Sequence, residues 1–220
     1  MARQLTFDLP VRTALGREDF FISPANAAGV AAVDGNWPLN RLLLIGPPGS
    51  GKTHLASIWA QEGGAETVAA TDLASVLGRL LADTDQPMVV EDLDRAAGNG
   101  AAEEALFHLL NARAAADGRL LMTARGQPAR LGFALPDLAS RLHAIPVAAM
   151  HPPDDALLAA IFIKLFRDRQ LAPGPDLISY LVSRTERSFA GAQSLVAQLD
   201  SAALADRRKL TADLARRVLG

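Results

Sequence analysis

An eight-residue glycine-rich stretch carries the strongest chemical signal in the sequence. It reads Gly46-Pro47-Pro48-Gly49-Ser50-Gly51-Lys52-Thr53, fits the spacing GxxxxGK[ST], and lies between an apolar run and a helical one. Glycines in such a loop let backbone N–H groups approach phosphates, and the N-terminus of the next helix adds positive potential. We expect Lys52 to reach the β- and γ-phosphates and the Thr53 hydroxyl to bind Mg²⁺. The alternative is a simple turn between strand and helix, which the flanking pattern disfavours.

A second apolar run ends in carboxylates. The stretch "PMVVEDLDR" places Glu91 and Asp92 at the end of a predicted strand. The carboxyl ends of parallel strands share one edge of a sheet, so both side chains are expected beside the phosphate loop. Glu91 would then lie near Mg²⁺, and Asp92 would polarise the attacking water. A solvated strand end is the alternative, because acidic residues are common there.

These two motifs belong to an alternating series of strands and helices. Strands are predicted over residues 41–45, 66–69, 88–92, 120–124 and 144–147, and helices over 25–33, 52–61, 71–82, 102–116 and 136–142. Such alternation predicts an α/β fold with a buried five-stranded parallel sheet. Beyond Pro152 and Pro153 only helices are predicted, over 154–169, 175–185, 189–206 and 211–219. We therefore expect an α/β core over 16–150 and a small all-α lid domain over 151–220, preceded by a tail over 1–15.

Composition narrows the possible functions. The 220 residues carry a net charge of −2, no cysteine and four scattered histidines. Disulfides and thiolate metal sites are excluded, and there is no overall basic field for nucleic acid. No signal peptide and no apolar run of membrane-spanning length is evident, so we expect a soluble cytoplasmic protein.

Two arginines indicate which kind of phosphate-loop protein this is. Arg141 ends a predicted helix just before a strand, in "PDLASRLHAIPV", and Arg187 begins a lid helix, in "RTERSFAGA". The order of phosphate loop, carboxylates, Arg141 and Arg187 resembles AAA+ ATPases. The segments "GREDFFISPANAAGVAAV", "LLMTARGQPARL", "LPDLASRL" and "ERSFAGA" resemble the DnaA branch of that family, from about Gly16 to Leu219. The resemblance implies that "GREDFFISPANAAGVAAV" wraps the adenine, that Arg187 contacts the nucleotide of its own subunit, and that Arg141 reaches a neighbour's γ-phosphate. The expected nucleotide-binding set is the loop from Gly46 to Thr53 together with His54, Phe21, Ile22 and Arg187, and the expected catalytic set is Asp92, Arg141 and Arg187.

Features that the sequence lacks point to a smaller group within this branch. DnaA initiators carry a further N-terminal domain and a C-terminal helix-turn-helix domain for duplex DNA, and neither pattern occurs here. The segment 71–86 holds one basic residue, Arg79, so we expect few phosphate contacts and no sequence-specific DNA binding. The sequence resembles the Hda family of short, bacterial DnaA-related regulators. That resemblance implies ADP or ATP with Mg²⁺ as cofactors and stimulation of the hydrolysis of DnaA-bound ATP, with Arg141 acting in trans. It implies no membrane partner and leaves a homo-oligomer open.

Two positions depart from the family pattern. Glu91 stands where an aspartate is usual. The strand over 120–124 ends with the sequence Thr123-Ala124-Arg125, where the family usually has a small polar or acidic residue. We therefore expect looser Mg²⁺ geometry and a weak intrinsic ATPase.

The first residues resemble a peptide that binds the sliding clamp. "QLTFDL" fits the pattern QLxLxL of bacterial clamp partners, with Gln4 as the polar contact and Leu5, Phe7 and Leu9 as apolar anchors. The expected partner is the β sliding clamp of DNA polymerase III. The alternatives are a frayed terminus and an edge strand.

Two other functions fit parts of the sequence. A helicase loader of the DnaC/IstB type shares the AAA+ pattern, but the low positive charge and the non-basic tail argue against it. A phosphate-loop metabolic kinase would bind a second small substrate under a lid. The four predicted helices after Asp154 form a segment that is long for such a lid, which argues against a kinase.

Overall fold

The structure is a computed structural model that describes Arg17 and residues 20–116, 118–206 and 210–219. Its centre is a five-stranded sheet made of β1 (Arg41–Ile45), β2 (Glu66–Ala69), β3 (Met88–Glu91), β4 (Leu120–Ala124) and β5 (Val147–Ala149). The strands lie in the order β2-β3-β4-β1-β5, and every neighbouring pair is parallel. The predicted five-stranded parallel sheet is therefore confirmed.

Five helices cover the two faces of this sheet. They are α1 (Ala27–Asp34), α2 (Lys52–Gly63), α3 (Leu73–Leu80), α4 (Gly100–Ala114) and α5 (Pro136–His143). In β1, Leu43 and Ile45 pack into the core under α3, α4 and α5, while Leu42 and Leu44 pack into the core under α1 and α2. Successive strand residues point to opposite faces, so a strand covered on both sides must be apolar throughout. This explains the continuous run "RLLLI".

The C-terminal helices form a separate apolar cluster. They are α6 (Asp155–Arg167), α7 (Pro175–Arg184), α8 (Phe189–Asp206) and α9 (Ala212–Leu219). Phe162 and Phe166 of α6 are fully buried among side chains of the other three helices. The Asp154 carboxylate caps α6 by accepting a hydrogen bond from the Leu157 N–H at 2.8 Å. The domain limits at residues 15 and 150 remain predictions. Within the residues that the structure describes, no helix is long and apolar enough to cross a membrane.

Several element boundaries differ from their predicted positions by one to three residues, and two of them show a local hydrogen-bond pattern that the sequence does not reveal. The last strand begins at Val147, not at Ala144, because the N–H groups of Ala144 and Ile145 still bond to carbonyls in the last turn of α5. The first helix begins at Ala27, not at residue 25, and the Ala25 N–H donates to the Ser23 hydroxyl at 3.1 Å.

One buried carboxylate ties the loop after β4 to helix α4. Glu103 is 1% exposed, and its carboxylate accepts hydrogen bonds from three backbone N–H groups, those of Gly98 at 2.7 Å, Ala134 at 2.9 Å and Leu135 at 2.8 Å. Burial alone would raise the pKa of this carboxyl, but the N–H donors outweigh burial and lower it. The ionised form of Glu103 is therefore the stabilising one.

We predict that Glu103→Gln lowers the free energy of unfolding by about 2–4 kcal/mol at neutral pH, because the amide turns an N–H donor toward backbone donors. Urea denaturation measures the loss. Since the folded pKa is lowered, the wild-type stabilisation is complete above the unfolded value of about 4.3 and is lost as the pH falls through the folded value. The difference in the free energy of unfolding between the wild type and Glu103→Gln should therefore become smaller in acid. A gap that stays constant with pH would contradict the assigned role.

Candidate nucleotide-binding site

A cavity of about 410 Å³ opens at the carboxyl edge of the sheet, between the core and the C-terminal helices. Its walls come from the segment before α1, from the phosphate loop and the start of α2, and from α6 and the start of α8. Asp92 and Arg125, which follow β3 and β4, complete the wall at the sheet edge. Ligands of open α/β sheets bind at this edge, where the order of the strands reverses.

The phosphate loop leaves β1 and turns directly into α2. Gly51 precedes the helix with φ of 91°, a left-handed conformation that favours glycine. The first residues of α2, Lys52, Thr53 and His54, all line the cavity. The N-terminus of the helix is therefore open to an anion.

The Lys52 ammonium rests on the loop itself. It donates to the carbonyls of Gly46 at 2.7 Å and Pro47 at 3.0 Å, and the residue is 7% exposed. Burial lowers its pKa, and the nearby carboxylates of Asp92 and Asp94 act in the opposite direction. A phosphate bound in the loop would supply the counter-charge that the buried cation needs.

Glu91 and Thr53 meet where a divalent cation would be held. The Thr53 side chain is hydrogen-bonded to the Glu91 carboxylate. Burial raises the pKa of Glu91, and the bond to Thr53 partly offsets this. Its Oε1 atom is buried and has no hydrogen-bond partner among the described residues. A buried carboxylate oxygen without a donor, beside a hydroxyl, fits Mg²⁺, which binds through one or two side chains, water and phosphates. The described residues hold no cluster of three or more His, Cys, Asp or Glu side chains that could bind a metal by itself.

Asp92 lies at the edge of the same cavity in a left-handed conformation, with φ of 56° and ψ of 53°. Its backbone N–H donates to the Thr123 hydroxyl of β4 at 3.0 Å, which fixes this turn to the neighbouring strand. Arg125 faces the cavity as well and pairs with Asp94, with Nε 3.2 Å from Oδ2. An arginine, rather than a small polar residue, therefore follows β4 beside Asp92.

Aromatic and aliphatic side chains form the far end of the cavity. The rings of Phe20 and His54 meet edge to face with centroids 5.1 Å apart, and Phe189 of α8 lies 6.2 Å from His54. Leu157 and Ile161 add one face of α6. Such a surface suits the flat face of a base. Sequence reasoning missed this contribution of α6, although Leu157 and Ile161 are four residues apart, as a single helical face requires.

The segment that begins α8 packs tightly against the phosphate loop where Ser188 meets Gly49. Gly49 has φ of 76°, and a Cβ atom added to it would lie 2.3 Å from the Cβ of Ser188. Ser188 caps α8, because its hydroxyl accepts from the Gly191 N–H at 2.9 Å. The N-terminus of α8 thus points its positive end toward the cavity, where Phe189 and Ala190 form part of the wall.

Not every predicted nucleotide contact lies on the cavity wall. Phe21 lines it, but Ile22 is 62% exposed and does not. Arg187 lies outside the wall and pairs with Asp155 at 2.5 Å while donating to the Pro153 carbonyl at 3.1 Å. Gly46 and Pro47 act through their carbonyls on Lys52. The roles of Ile22 and Arg187 in binding remain predictions.

Arg141 lies apart from this cavity, in the last turn of α5. It is exposed, and its guanidinium stacks on the Phe107 ring of α4 at 5.3 Å. An arginine in this place cannot serve the nucleotide site of its own chain.

Comparisons with known proteins agree with this geometry. The sequence is 26% identical to the chromosomal replication initiator protein DnaA of Caulobacter vibrioides, over an alignment that covers 92% of this chain and 47% of the relative. Domain III of DnaA from Thermotoga maritima superposes with a TM-score of 0.80 at 16% identity, covering 96% of this chain and 98% of that domain. The chain has a DnaA-like AAA+ fold.

A further DnaA structure bears on the ligand. AMPPCP-bound DnaA from Aquifex aeolicus gives a TM-score of 0.68 at 17% identity, covering 86% of this chain and 65% of that one. That relative binds an ATP analogue. No family model matches the sequence. The DnaA-like chain spans about half the length of the curated relatives it matches.

The close contact between loop and lid makes a sharp prediction. Gly49→Ala should weaken ADP binding by about tenfold or more, because the new methyl group displaces Ser188 and the start of α8 from the loop. Fluorescence titration with a labelled ADP measures this.

Gly132→Ala is the matched control, with φ of 77° and open space around the added atom. It should cost only the backbone strain, about 1–2 kcal/mol of stability, and leave ADP affinity unchanged. Equal loss of affinity in both variants would refute the proposed contact.

Proposed function

We propose that this chain is a nucleotide-bound regulator that stimulates the hydrolysis of ATP held by DnaA, while docked on the DNA polymerase sliding clamp. The observation that carries the proposal is the placement of Arg141: exposed, remote from the cavity of its own chain, and without an ion pair among the residues described. Such an arginine is available to a nucleotide bound elsewhere.

The chemistry of phosphoryl transfer supports this role. Negative charge spreads over the oxygens of the transferred group in the transition state, and an arginine supplied by a second protein stabilises it. The Phe107 ring beneath Arg141 orients the guanidinium without neutralising it. The fork of N–H donors along the edge of the guanidinium therefore stays available for phosphate oxygens.

The features of the chain's own cavity support the binding of a nucleotide better than they support its rapid hydrolysis. In this proposal Lys52, Thr53 and Glu91 hold the phosphate chain of ADP or ATP with Mg²⁺, which is supported by the seat of Lys52 on the loop and by the hydrogen bond between Thr53 and Glu91. Arg125, paired with Asp94, stands where the family pattern has a small polar or acidic residue. In this proposal the cavity stabilises the active shape of the regulator, and hydrolysis takes place on the partner.

The direct test is Arg141→Ala in an assay of DnaA-ATP hydrolysis on clamp-loaded DNA. We expect stimulation to fall by about 10³-fold or to background, as is typical when an arginine supplied in trans is removed. ADP affinity should not change, since Arg141 does not line the cavity. Thermal stability should change little, because the exposed stack on Phe107 is the contact that the variant loses.

Arg79→Ala serves as the control for loss of a surface arginine. Arg79 lies on α3 and pairs with Glu66 at 2.5 Å, at the β2 edge of the sheet. The Arg79→Ala variant should stimulate DnaA-ATP hydrolysis to the same extent as the wild type. Equal stimulation by Arg141→Ala and the wild type would end the proposed role of Arg141.

The clamp contact rests on the sequence alone, because residues 4–9 lie outside the described residues. The proposal places Gln4 at the rim of the clamp pocket and Leu5, Phe7 and Leu9 in apolar contacts. The intervening residues Thr6 and Asp8 provide a matched comparison within the same segment.

We predict that Gln4→Ala combined with Leu5→Ala abolishes clamp binding in surface plasmon resonance and leaves ADP binding intact. Thr6→Ala combined with Asp8→Ala should retain wild-type clamp affinity to within about threefold, because neither residue is an anchor. Unchanged clamp affinity in the first variant would show that the segment is not a clamp ligand.

A further inference from the structure

Four arginines gather at the edge of the sheet opposite the nucleotide cavity. They lie at or just before the starts of β1 and β4 and in the last turns of α4 and α5: Arg41, Arg119, Arg113 and Arg141. No carboxylate of the described residues lies within ion-pair distance of any of them. This set is called the arginine edge below.

Two members of the arginine edge are explained by the packing of the core. Arg119 stacks on Trp37 at 3.9 Å and donates to the Gly35 carbonyl at 3.2 Å. Arg113 is 1% exposed and donates to the Gln86 carbonyl at 2.7 Å, while its buried Nε and Nη2 atoms have no hydrogen-bond partner in the described part of the chain. These two residues brace loops on either side of β4.

Arg41 has no such explanation. It is the first residue of β1, pairs in register with Leu120, and is only 8% exposed. Burial lowers its pKa, and the positive charge of Arg141 lowers it further. Burying a cation without a counter-charge is costly, and an apolar residue of similar size would avoid that cost.

The register of the sheet places Arg41 beside Arg141. Leu43, two residues after Arg41, pairs with Val147 of β5, and its N–H donates to the Pro146 carbonyl at 2.9 Å. Arg141 lies in the final turn of α5, just before that strand. One guanidinium is therefore recessed in the strand end, and the other is exposed beside it.

We propose that Arg41 is a second cation for the docked partner: with Arg141 it takes up the terminal phosphates of the nucleotide bound in a neighbouring DnaA. This inference rests on the proposed function. A terminal phosphate carries several oxygens and more than one negative charge, so it can accept from two guanidinium forks at once. Docking then supplies a counter-charge that none of the described residues gives to Arg41.

The arrangement predicts opposite effects on stability and on activity. Arg41→Met removes the buried charge and keeps most of the side-chain volume. The free chain should become as stable as the wild type or more so in urea denaturation, while stimulation of DnaA-ATP hydrolysis falls by about tenfold or more. Arg41→Lys keeps the charge but loses the planar fork of donors, so its stimulation should lie between that of Arg41→Met and that of the wild type.

A purely structural Arg41 would behave in the reverse way. Arg41→Met would then destabilise the chain, and stimulation per folded molecule would stay at the wild-type level, which would overturn the inference. If Arg141→Ala reduces stimulation and Arg41→Met does not, the inference alone fails. If the wild-type chain does not stimulate DnaA-ATP hydrolysis, the proposed function and the inference fail together.

Discussion

The constraint on which this structure depends is the burial of a parallel sheet on both faces. Since all five strands run in one direction, every carboxyl end emerges at one edge and every amino end at the other. The chain therefore has two chemically different edges by construction. The phosphate loop, Glu91 and Asp92 occupy the first edge, and Arg41 and Arg113 lie at the second. The candidate nucleotide site and the cluster of arginines therefore lie at opposite edges of the sheet.

The two edges are connected mechanically through the helices that follow the strands. Helix α4 carries Glu103 near its start and Arg113 at its end, and Phe107 in its middle supports Arg141. The Glu103 carboxylate also holds the loop that follows β4, which begins with the cavity residue Arg125. Helix α4 therefore makes contacts near both edges of the sheet.

Much of this architecture could be predicted because the signals are local. The phosphate loop needs glycine at fixed positions, and a buried strand needs an unbroken apolar run, so Gly46–Thr53 and "RLLLI" were readable directly. The contribution of α6 to the cavity wall could not be predicted in this way. In the sequence Leu157 and Ile161 look like ordinary core residues, and only the packing of α6 beside the phosphate loop shows that they line the cavity. The pairing of Arg187 with Asp155 depends on two side chains 32 residues apart and has no local signature. The start of β5 was misplaced because the end of α5 depends on its last hydrogen bonds, which the sequence pattern does not show.

The tryptophans and the tyrosine lie in different parts of the molecule and therefore give separate fluorescence signals. The only two tryptophans, Trp37 and Trp59, lie together in the core with ring centroids 5.1 Å apart, and the single tyrosine, Tyr180, belongs to α7 among the C-terminal helices. Excitation selective for indole therefore reports on the α/β layer, and phenol emission reports on the helical part. Trp37 and Trp59 are covered by the Arg119 guanidinium, so their emission is shielded from quenchers in solvent until the core opens. The chain thus carries built-in optical labels that distinguish loosening of its lid from melting of its sheet.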